Sequence, residues 1–97
     1  MFEIEKIEVE GGSFLRLKAD IPEAPPLVLI LGNKGFVMCG YLNIDTAERL
    51  GVAAAVVSGV KSFEDVLNAR IKAATSKAKA AGLEPGKVVR TVLRLIV

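Results

Sequence analysis

A chain of 97 residues is one domain, and one without histidine cannot build Ser-His-Asp triads, Cys-His dyads or the usual zinc and iron sites from its own residues. The single cysteine, Cys39, excludes an internal disulfide, and the net charge of +2 is too small to mark a polycation. The longest apolar runs, Pro25–Gly32 and Val52–Val60, fall well short of the ~20 residues a membrane-spanning helix needs.

The start, Met1-Phe2-Glu3-Ile4-Glu5-Lys6, alternates charge with hydrophobe. That is no signal peptide, so a cytoplasmic protein is expected. Phe2–Glu10 reads as a strand, and Phe14–Ala19 as its hairpin partner. A three-residue loop at Gly11-Gly12-Ser13 would pair Val9 with Leu15, Ile7 with Leu17 and Glu8 with Arg16. It separates a buried from a wet face better than a two-residue Gly-Gly loop, although it sets Lys6 opposite Lys18. The alternation breaks at Lys6-Ile7, where a bulge is expected. Prolines 22, 25 and 26 make the next stretch a connection. Leu27–Leu31 and Phe36–Tyr41 are short apolar runs joined by Gly32-Asn33-Lys34-Gly35, a hairpin buried on both faces. Asn43 suits the N-cap of a short helix, Ile44–Leu50, stopped by Gly51. Val52–Val57 reads as a further buried strand, and Ser58-Gly59-Val60-Lys61 as a turn.

Ser62 opens the clearest helix, with Asp65 as its near-capping-box partner. Phe63, Val66, Leu67, Ile71, Ala74, Ala78 and Ala81 form one stripe at helical spacing, so the helix is expected to run to Gly82. Pro85 suits the first turn of a last helix, with Val88, Val89, Val92, Leu93 and Ile96 on one face; its β-branched content leaves a final strand as the alternative. The expectation is a single α+β domain over residues 1–97. It has a mixed sheet and three helices in the order β-β-β-β-α-β-α-α, with the helices covering one face. If the strands flanking the short helix are parallel, the crossover should be right-handed.

Two features of composition point to partners. With 52% of its residues apolar, the chain carries more hydrophobic side chain than a 10.3 kDa monomer can hide, so a homo-oligomer is expected. The hairpin over residues 1–20 is too small to hold its own core and should reach toward another subunit. Charge is also segregated. Residues 1–60 are acidic and residues 61–97 basic. The basic half could meet nucleic acid, but Phe63 is its sole aromatic and no stacking platform exists there, so the simpler reading is that the two halves complement each other. The shortage of amide side chains, with no Gln at all, is a weak thermophile signature.

The segment Gly35-Phe36-Val37-Met38-Cys39-Gly40-Tyr41-Leu42, with Gly59-Val60 and the helix start Phe63–Leu67, resembles the YunC-like family of uncharacterised bacterial and archaeal proteins. The likeness extends over roughly residues 8–97. It implies an α+β domain whose N-terminal β region mediates tetramer formation, and it implies no established activity. Where that family carries a Gly-Arg pair in its last helix, this chain has Val89-Arg90.

A site is best sought where two helices start after strand ends, since parallel strands would open both helix N-termini on one sheet edge. Gly40, Tyr41, Asn43, Lys61 and Ser62 would then line a small-anion site, with simple capping by Asn43 and Ser62 as the competing reading. Gly40 could instead serve a close backbone approach. Gly59-Val60-Lys61-Ser62 lacks the first glycine and the spacing of a phosphate loop and is no nucleotide site. Cys39 is the sharpest catalytic candidate, with Lys61 as the cation that would lower its pKa; a small buried hydrophobe is the competing reading. Neither metal-ligand spacing nor a cofactor motif is present. The sequence thus supports a homo-oligomeric binding or structural module, with the helix N-termini as its candidate small-anion site. A cysteine-dependent enzyme and a basic nucleic-acid accessory protein are the alternatives.

Overall fold

The computed structural model describes residues 2–9 and 12–97. Among them, six strands form one sheet in chain order: β1 (Phe2–Val9), β2 (Gly12–Ala19), β3 (Leu27–Leu31), β4 (Phe36–Met38), β5 (Ala54–Val56) and β6 (Ala73–Ala74). Every neighbouring pair is antiparallel except β4 and β5, which run parallel. Helix α1 (Ile44–Leu50) connects that parallel pair; α2 (Phe63–Asn68), α3 (Ser76–Ala81) and α4 (Val89–Val92) follow, and a 3-10 turn, Leu93–Ile96, ends the chain. The result is the expected α+β fold with a mixed sheet.

Period-two alternation sorts the sheet residues. Phe14, Val28, Ile30, Val37, Ala55 and Ala74 join α2, α4 and the C-terminal turn in one core. From α2 and α4, Phe63, Val66, Val89 and Val92 are buried there, with Leu93 and Ile96 of the turn. On the opposite face, Ala54 and Val56 are buried outside that cluster, as is Ala47 of α1, which packs on β5. The helices therefore do not all cover one face, contrary to the expectation from the sequence: α1 packs on the other side of β5.

The hairpin register departs from expectation. Val9 pairs with Gly12, Ile7 with Phe14, Glu5 with Arg16 and Glu3 with Lys18, in one unbroken ladder with no bulge at Lys6-Ile7. Residues Met1, Glu10 and Gly11, including part of the expected turn, lie outside the described residues. This register wins because it turns Phe14, 2% exposed, into the core, and replaces the Lys6–Lys18 clash with charge pairs of opposite sign. Arg16 follows Phe14 on the same face. Its guanidinium lies 4.0 Å over the Phe63 ring and pairs with Glu5. Arg16 Nε is buried without an acceptor among the described residues, and the ring face beneath the guanidinium offsets part of that cost.

The expected helix from Ser62 to Gly82 is divided. Its apolar stripe is buried except at Ala81, but α2 stops at Asn68, and residues 69–75 run extended before α3 begins. The break is held from outside. Ala69 and Ile71 exchange backbone bonds with Lys87, Gly86 and Val89, while Lys72 and Thr75 donate to Val56 and Ala54. Pro85 accordingly sits in the turn before Val88, not in a helix. The last element is helical, so the alternative of a final strand is excluded.

Candidate functional site

Parallel pairing of β4 and β5 brings their C-terminal ends to the same sheet edge, the usual place for ligands in such sheets. Beyond β4 the chain continues as Cys39-Gly40-Tyr41, and beyond β5 as Val57 to Lys61. A third strand of chain, Pro25-Pro26, arrives just before β3. Between these three loops lies an open cleft of about 330 Å3. Cys39, Gly40 and Tyr41 form one side and Ser58, Gly59, Val60 and Lys61 the other, with Pro25 and Pro26 closing the end.

Hydrogen bonds fix the walls. Val57 N–H donates to Met38 O (3.0 Å), and Cys39 N–H to Val28 O (3.1 Å). Tyr41 Oη donates to Pro25 O (2.7 Å), joining the first loop to the prolines. Cys39 is buried; its Sγ accepts from Val28 N–H (3.4 Å) and reaches Pro26 O at 3.9 Å. Gly40 faces open space, with nothing within 4 Å of where a Cβ would stand, so no close backbone approach explains it. Gly59 adopts φ +73°, a left-handed conformation that turns the second loop. Lys61 is exposed, and among the described residues it is the sole charged one lining the cleft.

Four sequence candidates, Cys39, Gly40, Tyr41 and Lys61, thus meet at one cleft, whereas Asn43 and Ser62 stand outside its lining. Both are occupied as caps. Asn43 Oδ1 accepts from the amides of Asp45 and Thr46, and Ser62 Oγ from that of Asp65. Asp65 Oδ2 in turn accepts from Lys61 N–H, one residue earlier than a standard capping box. The helix ends therefore offer their donors to their own side chains. Pro25, Pro26, Ser58, Gly59 and Val60 were not legible in the sequence as site residues. Their signal was indirect: they abut the C-terminal ends of a strand pair whose parallel sense had to be known first. Among the described residues, no group of three or more His, Cys, Asp or Glu could hold a metal ion. Among the same residues, no helix is long and apolar enough to cross a membrane.

Comparison with known proteins places this geometry in a family. The chain is 24% identical to the uncharacterised protein YunC of Bacillus subtilis (strain 168), over 96% of this chain and 95% of that one. A crystal structure of TA1206, a protein of unknown function from Thermoplasma acidophilum, superposes with a TM-score of 0.95 at 38% identity, over 100% of this chain and 94% of that one. The profile of the domain of unknown function DUF1805 matches residues 38–96, from the last residue of β4 to the C-terminal turn, and so takes in most of the cleft. By that match the chain belongs to the DUF1805 family of YunC-like proteins.

Proposed function

We propose that the chain is a homo-oligomeric module that binds a small anionic molecule in the cleft beyond β4 and β5. The observation that carries this reading is the meeting of Cys39, Gly40, Tyr41 and Lys61 at one concave surface. The walls are largely apolar and the single charge is positive. Such a lining suits a compact ligand better than an extended polymer. Because α1 and α2 cap themselves, the positive charge for the anion comes from Lys61 and not from a helix end. A fragment screen by NMR tests the reading. Saturable shifts should cluster on residues 39–41 and 58–61, and Gly40→Phe, which fills the cleft, should abolish them without lowering the melting temperature. Hits scattered over the surface, or unaffected by Gly40→Phe, would end it.

The oligomeric part of the reading rests on the sheet face opposite the main core. The register places Ile4, Leu17 and Leu29 in one row, and Leu15, Leu31 and Phe36 in the next. None of the six is buried, and Ile4 is 52% exposed. A second copy is the occupant this face suits, since burying it against a like surface removes the apolar surplus read from composition. Light scattering that returns a monomer mass at micromolar concentration would overturn it.

A further inference from the structure

We infer that the ligand of the cleft is a small monocarboxylate with a flat or branched apolar body, an inference that rests on the binding reading above and narrows it to a chemical class. The lining divides into two halves of different chemistry. One is a run of donors. The amides of Ser58, Gly59 and Val60, and the Ser58 hydroxyl, donate to no acceptor among the described residues, and Lys61 follows them in the chain. Successive amides around a left-handed residue, here Gly59 at φ +73°, can form a concavity that favours an anion. Among the described residues, no carboxylate lines the cleft to compete for those donors. The other half is apolar. Pro25 and Pro26 line it, and Tyr41 is pinned by its hydroxyl to Pro25, so that its ring stays in place as a wall. A ligand that satisfies both halves has acceptor oxygens at one end and hydrocarbon at the other.

The charge count selects within that class. One ammonium matches a single negative charge, whereas a phosphate dianion would leave charge uncompensated in a mostly apolar cleft. The helix dipole that phosphate sites exploit is also unavailable, because the first-turn acids Glu64 and Asp65 stand at the start of α2, and Asp65 already accepts from Lys61 N–H. Carboxylate oxygens can take the loop amides while the ammonium of Lys61 approaches from the open side.

The test is an NMR titration of the full chain with phenylacetate and isovalerate, with phenylacetamide and isovaleramide, and with inorganic phosphate. The acids should give saturable shifts at residues 58–61 and bind at least roughly tenfold tighter than their amides, the ratio expected when a charge-assisted contact is lost. Lys61→Met should erase that preference and Lys61→Arg should keep it. Equal affinity for acids and amides would overturn the carboxylate inference while leaving small-molecule binding intact. Phosphate binding as tightly as phenylacetate would overturn the requirement for an apolar body. Absence of saturable shifts with every compound would overturn both this inference and the binding reading.

Discussion

At the scale of single residues, what a side chain tolerates is set by what lies across the fold from it. A Cβ on Gly32 would land on the Ile96 carbonyl oxygen and against the Phe14 ring, and that carbonyl is already held by Lys34 N–H at 3.0 Å. Backbone cannot swing aside as a side chain can. Gly32→Ala should therefore cost about 3 kcal/mol, the upper part of the overpacking range. Gly40→Ala, whose new methyl meets nothing, should cost under about 0.5 kcal/mol. Urea unfolding of the two variants checks the contrast, and equal midpoints would refute it. Glu48 makes a pH-dependent counterpart. The Ser76 backbone N–H, donating to Glu48 Oε1 at 2.8 Å, is the main reason the Glu48 carboxyl is held below its ordinary value of 4.5; the Ser76 side chain and Lys79 add to it. A depressed folded-state pKa means stability that is present above 4.5 and lost as the pH falls through the lowered value. Wild type should therefore melt above Glu48→Gln at neutral pH, and the gap should close in acid. A gap that stays constant down to about pH 2.5 would show that the carboxylate charge does not matter. The caps at Asn43, Gly51 and Gly82 were legible in the sequence because a cap is a local device. The demand on Gly32 was not, because the residue that imposes it stands at the far end of the chain.

At the scale of elements, the informative case is the divided helix. The sequence shows which side chains between Phe63 and Ala78 are buried, and burial of Ile71 and Ala74 confirms the stripe. It does not show that the stripe is built by two short helices and a strand, because an extended segment can bury the same positions. Thr75 decides between them. It is 1% exposed, and its Oγ1 accepts from Ala54 N–H (3.1 Å) and Ala78 N–H (3.2 Å) while donating to Val52 O (2.7 Å). One hydroxyl thus caps α3 and docks it on the chain entering β5. A mid-helix threonine could serve neither purpose. Thr75→Val keeps the shape and leaves two buried donors and an acceptor without that partner, which should cost about 2–3 kcal/mol. Thr75→Ser keeps the hydroxyl and should cost about 1 kcal/mol, the loss of one buried methyl. If the valine variant unfolds at the same denaturant concentration as the serine variant, the hydroxyl is not what breaks the helix. The hairpin register follows the same logic. Local pairing rules favoured Leu15 and Leu17 as the buried residues, and the larger Phe14 overrode them once α2 supplied Phe63 as a neighbour for Arg16.

At the scale of the whole molecule, the surplus of apolar residues has a definite location. The inner face of the sheet is filled by α2, α4 and the C-terminal turn, and α1 packs on the outer face at β5. The outer face of β1–β4 remains open, with Leu15 38% and Leu31 41% exposed. Association could in principle occur by adding strands at the free edge of β1 instead. That edge carries Glu3, Glu5, Lys6 and Glu8, and a second β1 laid against it would bring acids together, a common defence against edge pairing. Face-to-face packing is therefore the expected mode, with sheets roughly 10 Å apart and leucines interdigitating. Two lysines at its centre separate this from the alternatives. Leu15→Lys with Leu31→Lys places charge on two paired positions of that face and leaves the inner core untouched. Burying two unpaired ammonium groups at an interface costs several kcal/mol per group, enough to exceed what a small interface gains. The double variant should run as a monomer in light scattering and keep the wild-type circular dichroism spectrum, while Ala81→Lys, on exposed α3 surface, should leave the assembly unchanged. A double variant that keeps the wild-type mass would place the subunit contacts elsewhere, and the open leucines would then need another partner to cover them.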